Sequence, residues 1–137
     1  MRRWLDAPTH DMPTLASTAH MKKLTWLVDS LANLRSFPPL VQDDIGYALY
    51  VAQLGETHSS AKPLRGLGSG VMDIASNDPS GAYRAVYTVS IGDSIYVVHA
   101  FQKKSKAGIA TPKAEMELVR RRLKQLRSEV KNAEKNA

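Results

Sequence analysis

From Met21 onward, apolar residues recur in short runs whose spacing separates strands from helices, whereas residues 1–20 carry two prolines and no period. The domain is therefore predicted to span 21–131, with a flexible extension at 1–20 and a disordered tail at 132–137. Leu24-Thr-Trp-Leu-Val28 suits a pleated first strand, because Trp, Thr and Val favour that surface. Asp29 or Ser30 can cap a short helix through Phe37, which Pro38-Pro39 ends. Val41, Ile45, Ala48 and Ala52, widened by Leu49, then form a helical stripe between Pro39 and Leu54, with Gly55 just past its end. A polar loop, 56–61, follows.

Three strands come next. Val71–Ala75 is followed by the turn sequence Asn77-Asp-Pro-Ser-Gly81, Ala82–Val89 by Gly92-Asp-Ser94, and Ile95–Phe101 closes the meander. The last pattern is helical, from Pro112 to Val130, with Thr111 as N-cap and an apolar stripe of Met116, Val119, Leu123, Leu126 and Val130. The predicted class is α+β: a mostly antiparallel sheet with two N-terminal helices and a C-terminal helix.

Charge adds a direction. The net charge is +6, and residues 1–60 hold five Lys/Arg against six Asp/Glu, while residues 61–137 hold fourteen against seven. A basic excess confined to one half favours a polyanionic partner or an acidic protein; a solvated basic helix face would produce the same count. The chain has no cysteine, which excludes disulfides, thiolate metal sites and cysteine nucleophiles. It has no apolar run of membrane-spanning length and no apolar signal core, so the expectation is a cytoplasmic protein without membrane contact.

The ordered set Lys62-Pro-Leu-Arg-Gly-Leu-Gly68, Tyr83-Arg-Ala-Val-Tyr87, Val98-His-Ala-Phe-Gln-Lys-Lys104 and Thr111-Pro-Lys113 resembles the phage-derived, HigB-like proteins of the RelE/ParE toxin superfamily over roughly 21–126. The resemblance implies a toxin paired with a helix-turn-helix antitoxin, touching operator DNA only through that antitoxin. It further implies metal-independent cleavage of mRNA on the ribosome, without a cofactor. In such cleavage the ribose 2′-hydroxyl attacks the adjacent phosphate and expels the 5′-oxygen. A base, cations on the transition state and an acid are needed, and basic side chains can supply them all.

On this resemblance Arg84 falls on the strand arginine that touches the scissile phosphate, and Lys103 and Lys104 fall where basic active-site residues follow the last strand. Arg84 lies mid-strand among apolar neighbours, where an unpaired charge is costly, so the alternative is an ion pair across the sheet. His99 is either a general acid–base or a core histidine with a satisfied hydrogen bond. Regular alternation places it with Val97 and Phe101, opposite Gln102. Lys62, Arg65, Gln102 and Lys113 are candidates for the RNA backbone; as surface residues they would look the same. Tyr83 and Tyr87 share the face opposite Arg84. Departures from the RelE pattern are the lysine-free strand Val71-Met-Asp-Ile-Ala75 and the absence of a terminal Asp-Tyr-His cluster. Gly66-Leu-Gly-Ser-Gly70 precedes a strand and lacks a GK[ST] ending, which argues for a tight entry into the sheet over a phosphate loop. Two rival functions stand beside the nuclease: a ParE-like gyrase inhibitor, and a decayed toxin that only binds its antitoxin.

Overall fold

A computed structural model describes residues 21–103 and 112–135. Its elements are β1 (Lys23–Trp26), α1 (Ser30–Arg35), α2 (Pro39–Gln53), β2 (Ala61–Pro63), β3 (Val71–Asp78), β4 (Gly81–Thr88), β5 (Ser94–Lys103) and α3 (Lys113–Lys135). The predicted α+β class is the one observed. The extension at 1–20, Lys104 and the capping Thr111 lie outside the described residues.

The five strands form one sheet in the order β1-β5-β4-β3-β2. All neighbours are antiparallel except β1, which pairs in parallel with the first half of β5. Helices cover both faces. Leu34 of α1, Val41, Ile45 and Leu49 of α2, and Phe37 between the two helices pack with Ile74, Tyr83, Ala85, Tyr87 and Ile95. On the other face Val119, Leu123 and Leu126 of α3 pack with Val71, Val86, Val98 and Phe101. Each of those three helical side chains is at most 5% exposed, and burying each contributes about 1.5–3 kcal/mol. Two-sided burial explains why β5 reads as an almost continuous apolar run, Ile-Tyr-Val-Val-His-Ala-Phe.

Several local expectations shift. β1 stops at Trp26, because Val28 takes φ 51°, a left-handed conformation unusual for a β-branched residue. Asp29 occupies the N-cap of α1 without a side-chain cap bond. Ser30 is turned inward, its Oγ donating to the Val97 carbonyl at 3.1 Å. Residues 61–63, expected to lie between a polar loop and a glycine-rich turn, form the short edge strand β2 on β3. β3 runs to Asp78 and meets Gly81 across the two-residue turn Pro79-Ser80. α3 continues to Lys135 and takes in 132–135, which the sequence pattern assigns to a tail. Gly66, Gly68 and Gly70 all have φ between 77° and 97°. They make the tight entry into β3, a strand where a phosphate loop would lead into a helix.

The departure with most consequence is a bulge in β5. Val86 pairs with His99 but Tyr87 pairs with Val97, leaving Val98 as an extra residue. A bulge resets side-chain alternation. Val97 therefore faces α1 and α2, and Val98 faces α3. His99, opposite Val86, shares the α3 face with Val98 and Phe101. The expected grouping of His99 with Val97 is thus wrong, although its grouping with Phe101 holds.

Candidate functional site

Residues directly opposite one another in a sheet share a face. One such row runs Lys62–Asp73–Val86–His99, the next includes Ala75–Arg84–Phe101, and Lys103 pairs with Ala82 two residues further along β5. Four of the sequence candidates, Lys62, Arg84, His99 and Lys103, consequently lie on the sheet face that α3 packs against. Tyr83 and Tyr87 lie on the opposite face with α1 and α2. Burial pushes the Tyr87 hydroxyl up to about 12, so it stays protonated near neutral pH. Gln102 belongs to that second face through its pairing with Tyr83, and its Nε2 donates to the Ser80 carbonyl at 3.2 Å. Arg65 and Lys113 are exposed, one in the turn after β2 and the other at the start of α3.

Arg84 is not a free cation. Its Nη1 donates to Asp73 Oδ2, and the two side chains are only 15% and 12% exposed. They are diagonal neighbours on adjacent strands, within reach for long side chains. Arg84 Nε and Asp73 Oδ1 are buried with no hydrogen-bond partner. Lys103, 6% exposed, adds a second cation on the same strand face. Burial raises the Asp73 pKa above its ordinary 3.8, although Arg84 and then Lys103 pull it down. The cluster therefore holds two cations around one carboxylate that resists ionisation, with a guanidinium donor left over.

A pH dependence follows from that carboxylate. With its pKa raised on folding, Asp73 binds more protons in the folded than in the unfolded chain between the two values. Its stabilising contribution is present at low pH and is lost as pH rises through the folded value. Relative to Asp73→Asn, the wild-type protein is expected to gain stability as pH is lowered from 7 toward 4. Urea unfolding of both across that range measures it, and a constant difference would contradict the burial argument.

His99 sits in a different arrangement. It is 4% exposed, and its ring stacks on Phe101 with centroids 5.1 Å apart. Its Nε2 lies 2.6 Å from Glu115 Oε1 on α3, and its Nδ1 lies 3.3 Å from Arg122 Nη1. A guanidinium can only donate, so Nδ1 is the acceptor and the ring proton resides on Nε2, from which it is given to Glu115. Arg122 also donates to the Val98 carbonyl of the bulge at 3.0 Å and pairs with Asp29 at 2.9 Å. Both ring nitrogens are thus engaged, and the core-histidine alternative describes this geometry better than a free base does.

Beyond the last β1 pair, Trp26↔Val97, the edge of β5 is bordered by α1 instead of by a strand. A cleft of about 360 Å³ opens there, bounded by Asn33 of α1, Ser36 and Phe37 just after it, Tyr83, His99–Gln102 and Glu115. Neither Glu115 nor Arg122 stands out in the sequence. Glu115 reads as a helix-dipole residue and Arg122 as one of three consecutive arginines; only the bulge and the placement of α3 bring them to His99. Among the described residues no group of three or more His, Asp or Glu could hold a metal ion. No helix among them is long and apolar enough to cross a membrane.

A sheet covered on both faces, with a cationic cluster beside its C-terminal helix, defines the class of fold. The model of the phage-derived Gp49-like protein family (DUF891) matches residues 32–124, from α1 into α3. The chain belongs to that family. The matched span includes every described candidate, from Lys62 to Lys113. No curated protein matches the chain.

Proposed function

We propose that this protein is the toxin of a type II toxin–antitoxin pair, of the HigB-like branch of the RelE/ParE superfamily, and that it cuts mRNA on the ribosome without a metal. The observation that carries the reading is the sheet face shared by Lys62, Arg84 and Lys103, with a buried Arg84 Nε that has no partner. Released from Asp73, that guanidinium can give its donors to a phosphate oxygen, and in a partly buried setting it stabilises a phosphorane-like transition state better than a solvated one. Lys103 supplies the second cation, with Lys104 and Lys113 next along the chain. Lys62 and Arg65, at the exposed edge, serve the RNA backbone. His99 contributes by fixing Glu115, and Gln102 by lining the neighbouring cleft.

The partner is a small antitoxin with a helix-turn-helix domain, through which alone the toxin reaches operator DNA. Its toxin-binding segment is acidic enough to cover the basic face. The protein works in the cytoplasm. Induction of the chain alone is expected to arrest growth, and primer extension on translated mRNA is expected to show new 5′ ends. Co-expression of the neighbouring gene should restore growth. Arrest with intact mRNA and altered DNA supercoiling would point to gyrase instead.

The Arg84–Asp73 ion pair favours a second reading. If the guanidinium never leaves Asp73, the chain is a decayed toxin whose remaining role is to hold its antitoxin. Induction without arrest, together with tight antitoxin binding, would support that outcome.

A further inference from the structure

The cleft at the β5 edge has a chemistry unlike that of the cationic face. One N–H of each side-chain amide is engaged, Asn33 Nδ2 with the Ala100 carbonyl at 3.0 Å and Gln102 Nε2 with the Ser80 carbonyl, while Ser36 Oγ donates to the Asn33 carbonyl at 2.6 Å. The His99 Nε2 proton goes to Glu115. What these side chains leave toward a ligand is mainly acceptor capacity: Asn33 Oδ1, Gln102 Oε1 and both oxygens of the Glu115 carboxylate, since Oε1 keeps a second lone pair beside its bond to His99 and 31% of the side chain is exposed. The Glu115 carboxylate is held by a buried histidine whose tautomer is set by Arg122. Phe37, Tyr83 and Phe101 line the walls with the edges of rings that are at most 7% exposed. The Glu115 carboxylate repels an anion, which disfavours a second phosphate site here.

We infer that the cleft binds a guanine base of single-stranded RNA, with Glu115 accepting the two adjacent N–H donors of its Watson–Crick edge. Guanine alone among the four bases offers two neighbouring donors, N1–H and the N2 amine, in the spacing a carboxylate accepts. Unpaired bases are generally read in this way, by hydrogen bonds to that edge and by contact with aromatic side chains. The cleft's volume of about 360 Å³ accommodates a purine. An arginine side chain from a partner protein has the same donor geometry, but it brings a positive charge to a chain of net charge +6. A neutral base avoids that repulsion.

The inference rests on the RNA reading above and extends it to base selection: β5 links the cleft, at His99–Gln102, to Lys103 at the cationic cluster. A strand whose phosphates engage Arg84 and Lys103 can place a neighbouring base against Glu115.

The test needs neither ribosome nor cleavage. The intact protein is titrated with 5′-GMP, 5′-AMP, 5′-CMP and 5′-UMP, following the amide resonances of Ala100, Phe101 and Gln102. The shared phosphate cancels in the comparison. 5′-GMP is expected to bind about tenfold or more tighter than the others, the scale of one good bidentate base contact. Glu115→Gln, in which the amide oxygen can still accept from His99, is expected to bring 5′-GMP down to the level of the other three. Gln102→Met, at the solvent end of the cleft, gives a second variant independent of the His99 contact, and it should also weaken 5′-GMP. Equal affinity for all four nucleotides overturns the inference, as does preferential binding of N-acetylarginine amide. Selective 5′-GMP binding by a protein that leaves mRNA intact would instead overturn the nuclease reading and leave the guanine site standing.

Discussion

Arg84→Ala is expected to abolish growth arrest and to slow RNA cleavage by about a hundredfold or more, the usual effect of deleting a transition-state donor. The ion pair complicates the measurement, since the substitution leaves Asp73 half-buried without its counter-charge. A buried polar group stripped of its partner costs about 1–3 kcal/mol. A lower melting temperature therefore accompanies the loss of activity and has to be separated from it. Asp73→Asn/Arg84→Ala achieves this, because a neutral amide carries a smaller burial cost than an unpaired carboxylate. The double variant should recover much of the stability and none of the cleavage. Arg84→Lys should restore only part of the rate, as an ammonium lacks the planar fork. A well-folded double variant that still cuts RNA at the wild-type rate would remove Arg84 from the site. Arrest, cleavage and a melting curve on the same proteins decide the matter.

How much of this was legible in the sequence depended on whether local pattern or long-range placement carried the information. The helices α2 and α3 were visible in their apolar stripes, and the β3–β4–β5 meander in its turns. The opposition of Arg84 to Tyr83 and Tyr87 followed from simple alternation. β2 was not legible: three residues with a proline carry almost no strand signal, and only pairing with Met72, Asp73 and Ile74 makes them a strand. Nor was the face of the sheet that carries the site, because α1 and α2 bury one side and α3 the other, which erases the polar–apolar contrast. His99 was placed through regular alternation, and a single inserted residue at Val98 moved it. The Arg84–Asp73 pair was foreseeable as a type of contact, since an inward arginine needs a partner, but not as to which acid would supply it. The cleft was illegible altogether, as it joins side chains from α1, β4, β5 and α3 that are up to 82 positions apart.

The run Arg120-Arg121-Arg122 shows the same limit, and it leads to the second large expected effect. As a string, three arginines read equally as one basic surface for RNA or as a solvated helix face, with Glu117 placed to pair with Arg121. On α3 they point in different directions: Arg120 and Arg121 are exposed, whereas the side chain of Arg122 is only 11% exposed. Its guanidinium joins three parts of the fold, meeting Asp29 before α1, the Val98 carbonyl at the bulge and His99 Nδ1. Hydrogen bonds involving a charged group contribute about 1.5–3 kcal/mol each and are not additive when they share one side chain. Arg122→Ala is expected to cost about 3 kcal/mol, close to the upper end for one such bond, because the bulge carbonyl loses a donor and α3 loses its tie to Asp29. Arg121→Ala should stay within about 0.5 kcal/mol, as for most exposed substitutions. Arg122→Lys should recover little, since one ammonium cannot span acceptors that a planar fork reaches together. Urea unfolding of the three variants measures the difference. Hydrogen exchange should show the loss of protection beginning at the first turns of α3 and at the β5 bulge, the places Arg122 holds together. If Arg121→Ala and Arg122→Ala prove equally stable, the inward arginine contributes nothing to the fold, and the fixed orientation of His99 and Glu115 goes with it.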